Sequence, residues 1–172
     1  MIAIASAELS GALEPVPGFI ESEFNPLVYH AAAECLRGRE FDGSRLAVVL
    51  CSLTGDSTTT SLASKLLVAG QVHNAILFMQ ATTNAVLGFL SREFDLTGPL
   101  LSMSTVDDDP LDTAELLLTD PELDAVLLLT VELAADERTA AVHRLLGRTP
   151  PIDDGASALL LEREPPVRKV IS

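Results

Sequence analysis

The sequence has no tryptophan, one tyrosine and six phenylalanines among 172 residues. A core of the size such a chain can bury must therefore be aliphatic, built from Leu, Val, Ile and Ala rather than from rings. Basic residues are scarce: 11 Lys and Arg stand against 25 Asp and Glu, a formal net charge of −14. Little is available to neutralise phosphates, which argues against nucleic acid as a partner and against docking on an anionic membrane. Cysteine is limited to Cys35 and Cys51 and histidine to three positions. These are no disulfide framework, and no cluster has metal-ligand spacing, so neither a metal nor a cofactor is expected. The longest apolar run, "AVLLLTVELAA", is broken by Glu132 and is too short to span a bilayer. The opening "MIAIASAEL" lacks the basic region of a secretory signal. These absences point to a cytoplasmic protein.

Apolar residues make up 48% of the chain, enough for one globular domain. "MIAIASAEL" reads as a short buried strand. "NPLVYHAAAECLRGR" reads as a helix capped by Asn25, with Pro26 in its first turn and Gly38 at its end. "SRLAVVLCSLTG" is a buried β-branched strand, and "DSTTTSLASKLL" opens a helix capped by Asp56 or Ser57. The stretch from His73 to Gly98 contains one long apolar helix. "LLSMST" is the next strand and "DPLDTAELLLTD" the next helix. "LDAVLLLTVEL" is the most hydrophobic strand, "ERTAAVHRLLG" a helix and "GASALLLERE" a last strand. Unalternating apolar strands between helices predict a mainly parallel sheet covered on both faces. The domain is expected over residues 1–165, with a basic tail at 166–172.

An acidic triplet, Asp107 to Asp109, lies where strand gives way to helix. Asp109, Pro110 and Asp112 form a helix-start pattern, with a carboxylate cap, proline at the first position and an acid in the first turn. The sharper alternative is a carboxylate base or a Mg²⁺ or Ca²⁺ site, which would need oxygens from elsewhere. Cys51 ends a buried strand and reads as a small core hydrophobe rather than a reactive thiol. His73 and His143 are the histidines to weigh as catalytic acids, against the plainer reading of hydrogen-bonded side chains. "LTGDSTTTS" lacks the Gly-Lys-Ser/Thr ending of a phosphate loop, so its hydroxyls read as caps. Arg138, Arg144 and Arg148, with Arg163, Arg168 and Lys169, are the basic clusters.

"NAVLGFLSREFDLTGPLLSMST" resembles the β-ketoacyl synthase segment that runs approximately N-A-A-A-G … L-x-G-P … S-T-A-C-S-S-G. Asn84, Gly88, Phe94, Leu96, Gly98, Pro99, Ser104 and Thr105 fall in register. "SRLAVVLCSLTGD", "ELDAVLLLTVEL" and "DDGASALLLERE" are similar to flanking strands of that family. The resemblance implies a single thiolase-type half: an α/β fold with a five-stranded mixed, mainly parallel sheet, ordered 3-2-1-4-5, and helices on both faces. The family's nucleophilic cysteine aligns with Asp107, and its Ser-Ser-Gly with Asp108, Asp109 and Pro110. The family's second half, which carries two catalytic histidines and a lysine, has no counterpart in this sequence. The resemblance also implies pairing through the "LLSMS" strand, which nominates Asn84, Phe89, Leu100, Leu101 and Met103 as interface residues.

A helix dipole that activates a thiol stabilises a carboxylate in the same place, making it a weaker base and a poorer nucleophile. Condensation by this chain alone is therefore not expected. The reading that follows is a non-catalytic, ketosynthase-like subunit of polyketide or fatty-acid biosynthesis, as a homodimer or with a ketosynthase. One alternative is a dehydratase, isomerase or cyclase of carrier-bound acyl chains, with Asp107 or Asp109 as base and His73 or His143 as acid. Another is a module that binds an acyl carrier protein or an acyl chain through the Arg138–Arg148 region.

Overall fold

A computed structural model describes residues 1–71, 75–104 and 109–164. Strand β1 is Ile2–Ser10, β2 Leu46–Cys51, β3 Leu100–Met103, β4 Ala125–Glu132 and β5 Gly155–Glu162. The helices are α1 Phe24–Leu36, α2 Ser57–Val68, α3 Ala75–Gln80, α4 Thr83–Glu93, α5 Pro110–Leu117 and α6 Glu137–Leu145. The strands form one sheet in the order β1-β5-β4-β2-β3. β2 pairs in parallel with β3 and β4, and β5 pairs antiparallel with β4 and β1. Strands β1 to β4 thus run one way and β5 the other, a mixed and mainly parallel sheet.

In chain order the expected sequence 3-2-1-4-5 and the observed one share the β3–β2 edge and the β4–β5 pair. They differ in the first strand, which lies at the far edge and not in the centre. Burial explains the placement. Every side chain of β2 is buried, so β2 belongs inside the sheet. In β1 only Ala7 is buried, so the strand anticipated as buried is an edge strand with polar residues outward.

Alternation divides the core into two layers. Leu46, Val48 and Leu50 of β2, with Leu127, Leu129 and Val131 of β4, face α1 and α4. Leu27, Val28, Ala31, Val86 and Leu90 cover them. Ala47, Val49, Cys51, Val126 and Leu128 form the opposite, smaller layer, which Ala114 and Leu118 of α5 cover. Helices α1, α4 and α5 therefore bury apolar side chains against the two faces of the sheet.

Two local readings change. The long helix expected after His73 is two helices, α3 and α4, separated at Ala81 and Thr82. There Thr82 Oγ1 donates to the Met79 carbonyl at 2.9 Å, and Gln80 turns inward to bond the backbone of Ile20 with both its amide atoms. Local bonds of this kind compete with continuing the helix. Asn25 does not cap α1, which starts one residue earlier with Glu23 at the cap position. Its side chain is instead buried among Ser22, Asp56 and the Gln80 carbonyl.

Gly98 shows why the turn before β3 needs glycine. A Cβ there would overlap the Leu46 backbone carbonyl, because the chain enters β3 directly against the start of β2. Pro99 follows and its carbonyl accepts from Val48 N–H at 2.8 Å, the first rung of the ladder. Gly98→Ala is expected to cost about 3 kcal/mol, since backbone has no rotamer with which to yield. Urea unfolding of the variant checks this, and an unchanged midpoint contradicts the close approach.

Candidate functional site at the carboxyl ends of the strands

In an open α/β sheet, ligands gather outside the carboxyl ends of parallel strands, where chains leave in different directions. Here β2 leaves into Ser52–Asp56, β3 into Ser104 and β4 into Leu133. Ser52 N–H donates to the Met103 carbonyl at 3.2 Å, so the β2–α2 loop rests on the end of β3. Four acidic or imidazole side chains approach this rim: Asp56, Asp109, Glu132 and His143.

Asp56 is buried and fully engaged. Its Oδ1 accepts from Thr59 N–H at 3.0 Å, capping α2. Its Oδ2 accepts from Ser22 Oγ at 2.7 Å and Asn25 Nδ2 at 3.3 Å. One carboxylate therefore joins the starts of α1 and α2. The hydroxyls of "STTT" do not supply the cap expected of them: Asp56 does, while Thr60 Oγ1 donates to the Asp56 carbonyl at 2.8 Å and Thr59 Oγ1 to the Glu21 carbonyl at 3.2 Å.

Asp109 is exposed and caps α5. Its Oδ1 accepts from Leu111 N–H at 2.9 Å, with Pro110 at the first helical position and Asp112 in the first turn. The helix-start reading of the acidic turn holds for this residue. A solvated carboxylate on the positive end of a helix is a poor general base. Asp107 and His73, the other two nominated positions, lie outside the described residues.

His143 is far from a surface histidine. It is 5% exposed, and neither ring nitrogen has a hydrogen-bond partner among the described residues. Its charge is felt at Glu132, the charged residue that ends the most hydrophobic strand, with no hydrogen bond joining the two. Burial pushes the Glu132 carboxyl up from its ordinary range, against the Leu53 N–H and the nearby His143. Glu132 Oε1 accepts from Leu53 N–H at 2.6 Å, while Oε2 has no partner. Sequence reasoning noticed Glu132 only as an interruption of an apolar run. The interruption itself was the signal, because an acid in a fully buried strand needs a reason to stay.

The remaining nominees are structural or lie on the sheet edge. Cys35 and Cys51 are free and buried; burial pushes the Cys51 thiol up to about 11, which suits a core hydrophobe and not a nucleophile. His30 Nε2 lies 2.9 Å from the Glu14 carbonyl. No group of three or more His, Cys, Asp or Glu among the described residues could hold a metal ion. Among the described residues β3 has a strand neighbour on one side alone. Its Leu100 packs on the larger core layer and Met103 on the smaller, Leu101 is half-buried, and Ser102 Oγ donates to Asn84 Oδ1 at 2.9 Å. Phe89 sits in an intramolecular aromatic cluster, 5.4 Å from Phe19 and 5.6 Å from Tyr29 between ring centroids. α4 packs beside this edge, α3 on α4 and α2 on α3, and α2 and α3 carry apolar residues turned outward: Val68 is 89%, Phe78 68% and Met79 67% exposed. A groove of about 730 Å³ runs between α3, α4 and the Pro17–Phe19 loop.

A sheet of this topology, layered between α1/α4 and α5, is one half of a thiolase-like fold. Solved ketosynthase structures share it. A ketosynthase (ApeO) in complex with its chain length factor (ApeC) from Xenorhabdus doucetiae matches with a TM-score of 0.69 at 21% identity. That match covers 83% of this chain and 58% of the other. The AntDE:AntF complex, a type II polyketide synthase acyl-carrier protein with its ketosynthase bound to the hexaketide, matches at 0.64 and 14% identity, over 83% of this chain and 44% of that one. The ketosynthase from module 6 of the bacillaene synthase of Bacillus subtilis 168 matches at 0.55 and 15% identity, over 82% and 24%. No family model and no curated protein sequence matches. The likeness establishes the fold, and this chain spans little more than half the length of the first of these ketosynthases.

The two aspartates should separate sharply on mutation. Asp109→Ala removes one exposed cap and is expected to cost about 1 kcal/mol. Asp56→Ala strands the buried Thr59 N–H, takes an acceptor from Ser22 Oγ and Asn25 Nδ2, and is expected to cost about 3 kcal/mol. Denaturant titrations of both variants decide it, and equal losses contradict the roles assigned.

Proposed function

We propose that this chain is a non-catalytic, partner-binding subunit of polyketide or fatty-acid biosynthesis. It docks through the β3 edge and the adjoining α3–α4 surface onto a second ketosynthase-fold chain, its own copy or a ketosynthase. The observation that carries this reading is the sheet edge itself. β3 is short and half-buried, has no strand partner on its outer side among the described residues, and packs on α4, beyond which α3 and α2 turn apolar residues to solvent. An edge of that kind is a template for pairing, and an apolar patch beside it marks an interaction surface. Complexes among the structural neighbours support the choice of partner, one pairing a ketosynthase with its chain length factor. The non-catalytic part rests on Asp107 standing where the family has cysteine, and on Asp109 being engaged as an exposed cap. Two free, buried cysteines fit a reducing compartment, which supports the cytoplasm. No described helix is long and apolar enough to cross a membrane.

Light scattering on the purified chain is expected to give the mass of a dimer, or to give it once a ketosynthase from the same pathway is added. Leu101→Lys places a charge on the pairing edge and is expected to weaken association by at least about tenfold. A chain that stays a monomer in both experiments removes the proposal.

A second reading has its own observation. On α6 and just beyond it, Arg138, Arg144 and Arg148 are interleaved with exposed Val142 and Leu145. In so acidic a chain, a basic and apolar strip of this sort suits an acidic helical partner such as a carrier protein. One neighbour is a ketosynthase captured with its acyl-carrier protein. Charge reversal at Arg138 and Arg144 is expected to abolish carrier binding, and binding that is unaffected by salt or by these changes excludes the strip.

A further inference from the structure

The two faces of the sheet are covered unequally. On the larger layer α1 packs on β1, β5 and β4, and α4 on β2 and β3, so every strand lies under a helix. On the smaller layer α5 packs on β4 and β2, and among the described residues it is the one helix that contributes to the layer. Five strands set about 4.8 Å apart span about 19 Å between the outer two axes, and helices pack about 10 Å apart. One face of such a sheet therefore takes two helices side by side. The α5 side has one among the described residues, and the strip over β5 and β1 stands open beside it.

Register places the side chains of that strip. Ala3, Ser6 and Glu8 of β1 sit opposite Leu161, Leu159 and Ser157 of β5. Leu161 and Leu159 belong to the smaller layer, so alternation along the strands puts all six residues on the α5 side. Leu161 is buried, Leu159 and Ser157 are half-buried, and Ala3, Ser6 and Glu8 are exposed. On the other side of the same strand, Ala5, Ala7 and Leu9 pack into the larger layer beneath α1. α5 is pinned where it lies and does not close the strip. Arg163, just beyond β5, donates Nε to the Leu118 carbonyl at 3.0 Å and Nη2 to the Asp120 carbonyl at 3.0 Å, while Asp109 caps the other end of the helix. Between helix and strip runs a notch of about 340 Å³, lined by Met1, Glu115, Leu118, Thr119 and Arg163.

We propose that this strip seats one amphipathic helix of a partner protein, with small and apolar residues on the side laid down and Lys or Arg along its flanks. From Ala3 to Glu8 the strip is about 17 Å long, the rise of about three helical turns. Small side chains at Ala3, Ser6 and Ser157 let a helix backbone come close, and Leu159 gives it apolar area. The borders set the charge. Glu115 faces the notch, Asp112 lies three residues before it on the same flank of α5, and Glu8 stands at the far end of the strip, all three exposed. The guanidinium of Arg163 is engaged by the carbonyls of α5, so the rim is negative. The same charges exclude a second copy of this chain as the occupant. Its α5 would bring Asp112 and Glu115 against acids, and like charges across an interface repel. β1 and β3 are opposite edges of the sheet, so the seat is separate from the β3 edge and does not depend on it.

The probe is a synthetic helical peptide of about 14 residues, with Ala and Leu on one face and Lys and Arg on its flanks, followed by fluorescence anisotropy as the full chain is added. It is expected to bind at low salt with a Kd below about 100 μM, and to shift the amide resonances of residues 3–8 and 157–161. Glu8→Lys with Glu115→Lys, and separately Ser6→Arg, change exposed side chains outside the core, and each set is expected to weaken binding by at least about tenfold. Leu101→Lys on the β3 edge is expected to leave it unchanged. A weaker Kd for the unaltered chain, an affinity that survives both sets of changes, shifts gathered on α2 and α3, or equal binding of a peptide with Glu in place of Lys and Arg overturns the seat. So does a dimer of the chain that Ser6→Arg breaks, because a second copy then lies there.

Discussion

The structure depends on one constraint: two neighbouring strands, β2 and β4, must be dry on both faces. All six side chains of β2 are buried, and in β4 just Thr130 and Glu132 are partly exposed. Nothing but another layer can satisfy a strand of that kind, so helices are required above and below. The rest of the topology is a consequence. α1 and α4 supply one cover and α5 the other, while strands with polar faces, β1 among them, are displaced to the edges. With no tryptophan and few rings, the fit is made by branched aliphatic side chains, for which packing density and not aromatic contact is the main source of cohesion.

Once the central strands are dry, polar groups can sit only at their ends, and these ends are where the chain concentrates its unusual chemistry. Asp56 and Glu132 stand at the exits of β2 and β4 and solve the same problem in different ways. Asp56 is saturated, accepting from one backbone N–H and two side chains, and so serves as a rigid joint between α1 and α2. Glu132 is half satisfied, with one oxygen bonded and one bare. A saturated carboxylate resists change in its surroundings; a half-satisfied one responds to it, because the second oxygen has something to gain. Rigidity and responsiveness thus sit one strand apart on the same rim.

Much of this was legible in the sequence, and the reasons for the exceptions are physical. The strands around Val48 and Leu127 and the cap at Asp109 were readable because burial and capping leave local signatures: an unbroken apolar run, and an acid before a proline. The helix break at Ala81 was not readable, since it depends on Gln80 reaching Ile20, sixty residues away. Nor was the role of Asn25, whose cap-like position before Pro26 masked a tertiary bond to Asp56. The edge position of β1 was hidden because "IAIASAELS" is apolar enough to resemble a central strand, and its true neighbour, β5, comes at the other end of the chain. At the rim, the sequence drew attention to the acids it displays in a row and away from Glu132, which stands alone. A run of charges is conspicuous and usually solvated; a single charge within a greasy strand is inconspicuous and expensive to keep.

That contrast bears on what chemistry the rim of the sheet can carry. At the start of α5 Asp109 is exposed, and its carboxylate is bound to the backbone it caps. Acid–base work needs the opposite: a group kept from water, with a proton it can give up or take near neutral pH. Among the described carboxylates Glu132 comes nearest to that environment, because burial raises its pKa, but one of its oxygens is already held by the Leu53 N–H. Five of the large apolar side chains that do face outward among the described residues gather on α2 and α3, at Leu67, Val68, Ile76, Phe78 and Met79, because these helices lie outside the two layers that cover the sheet.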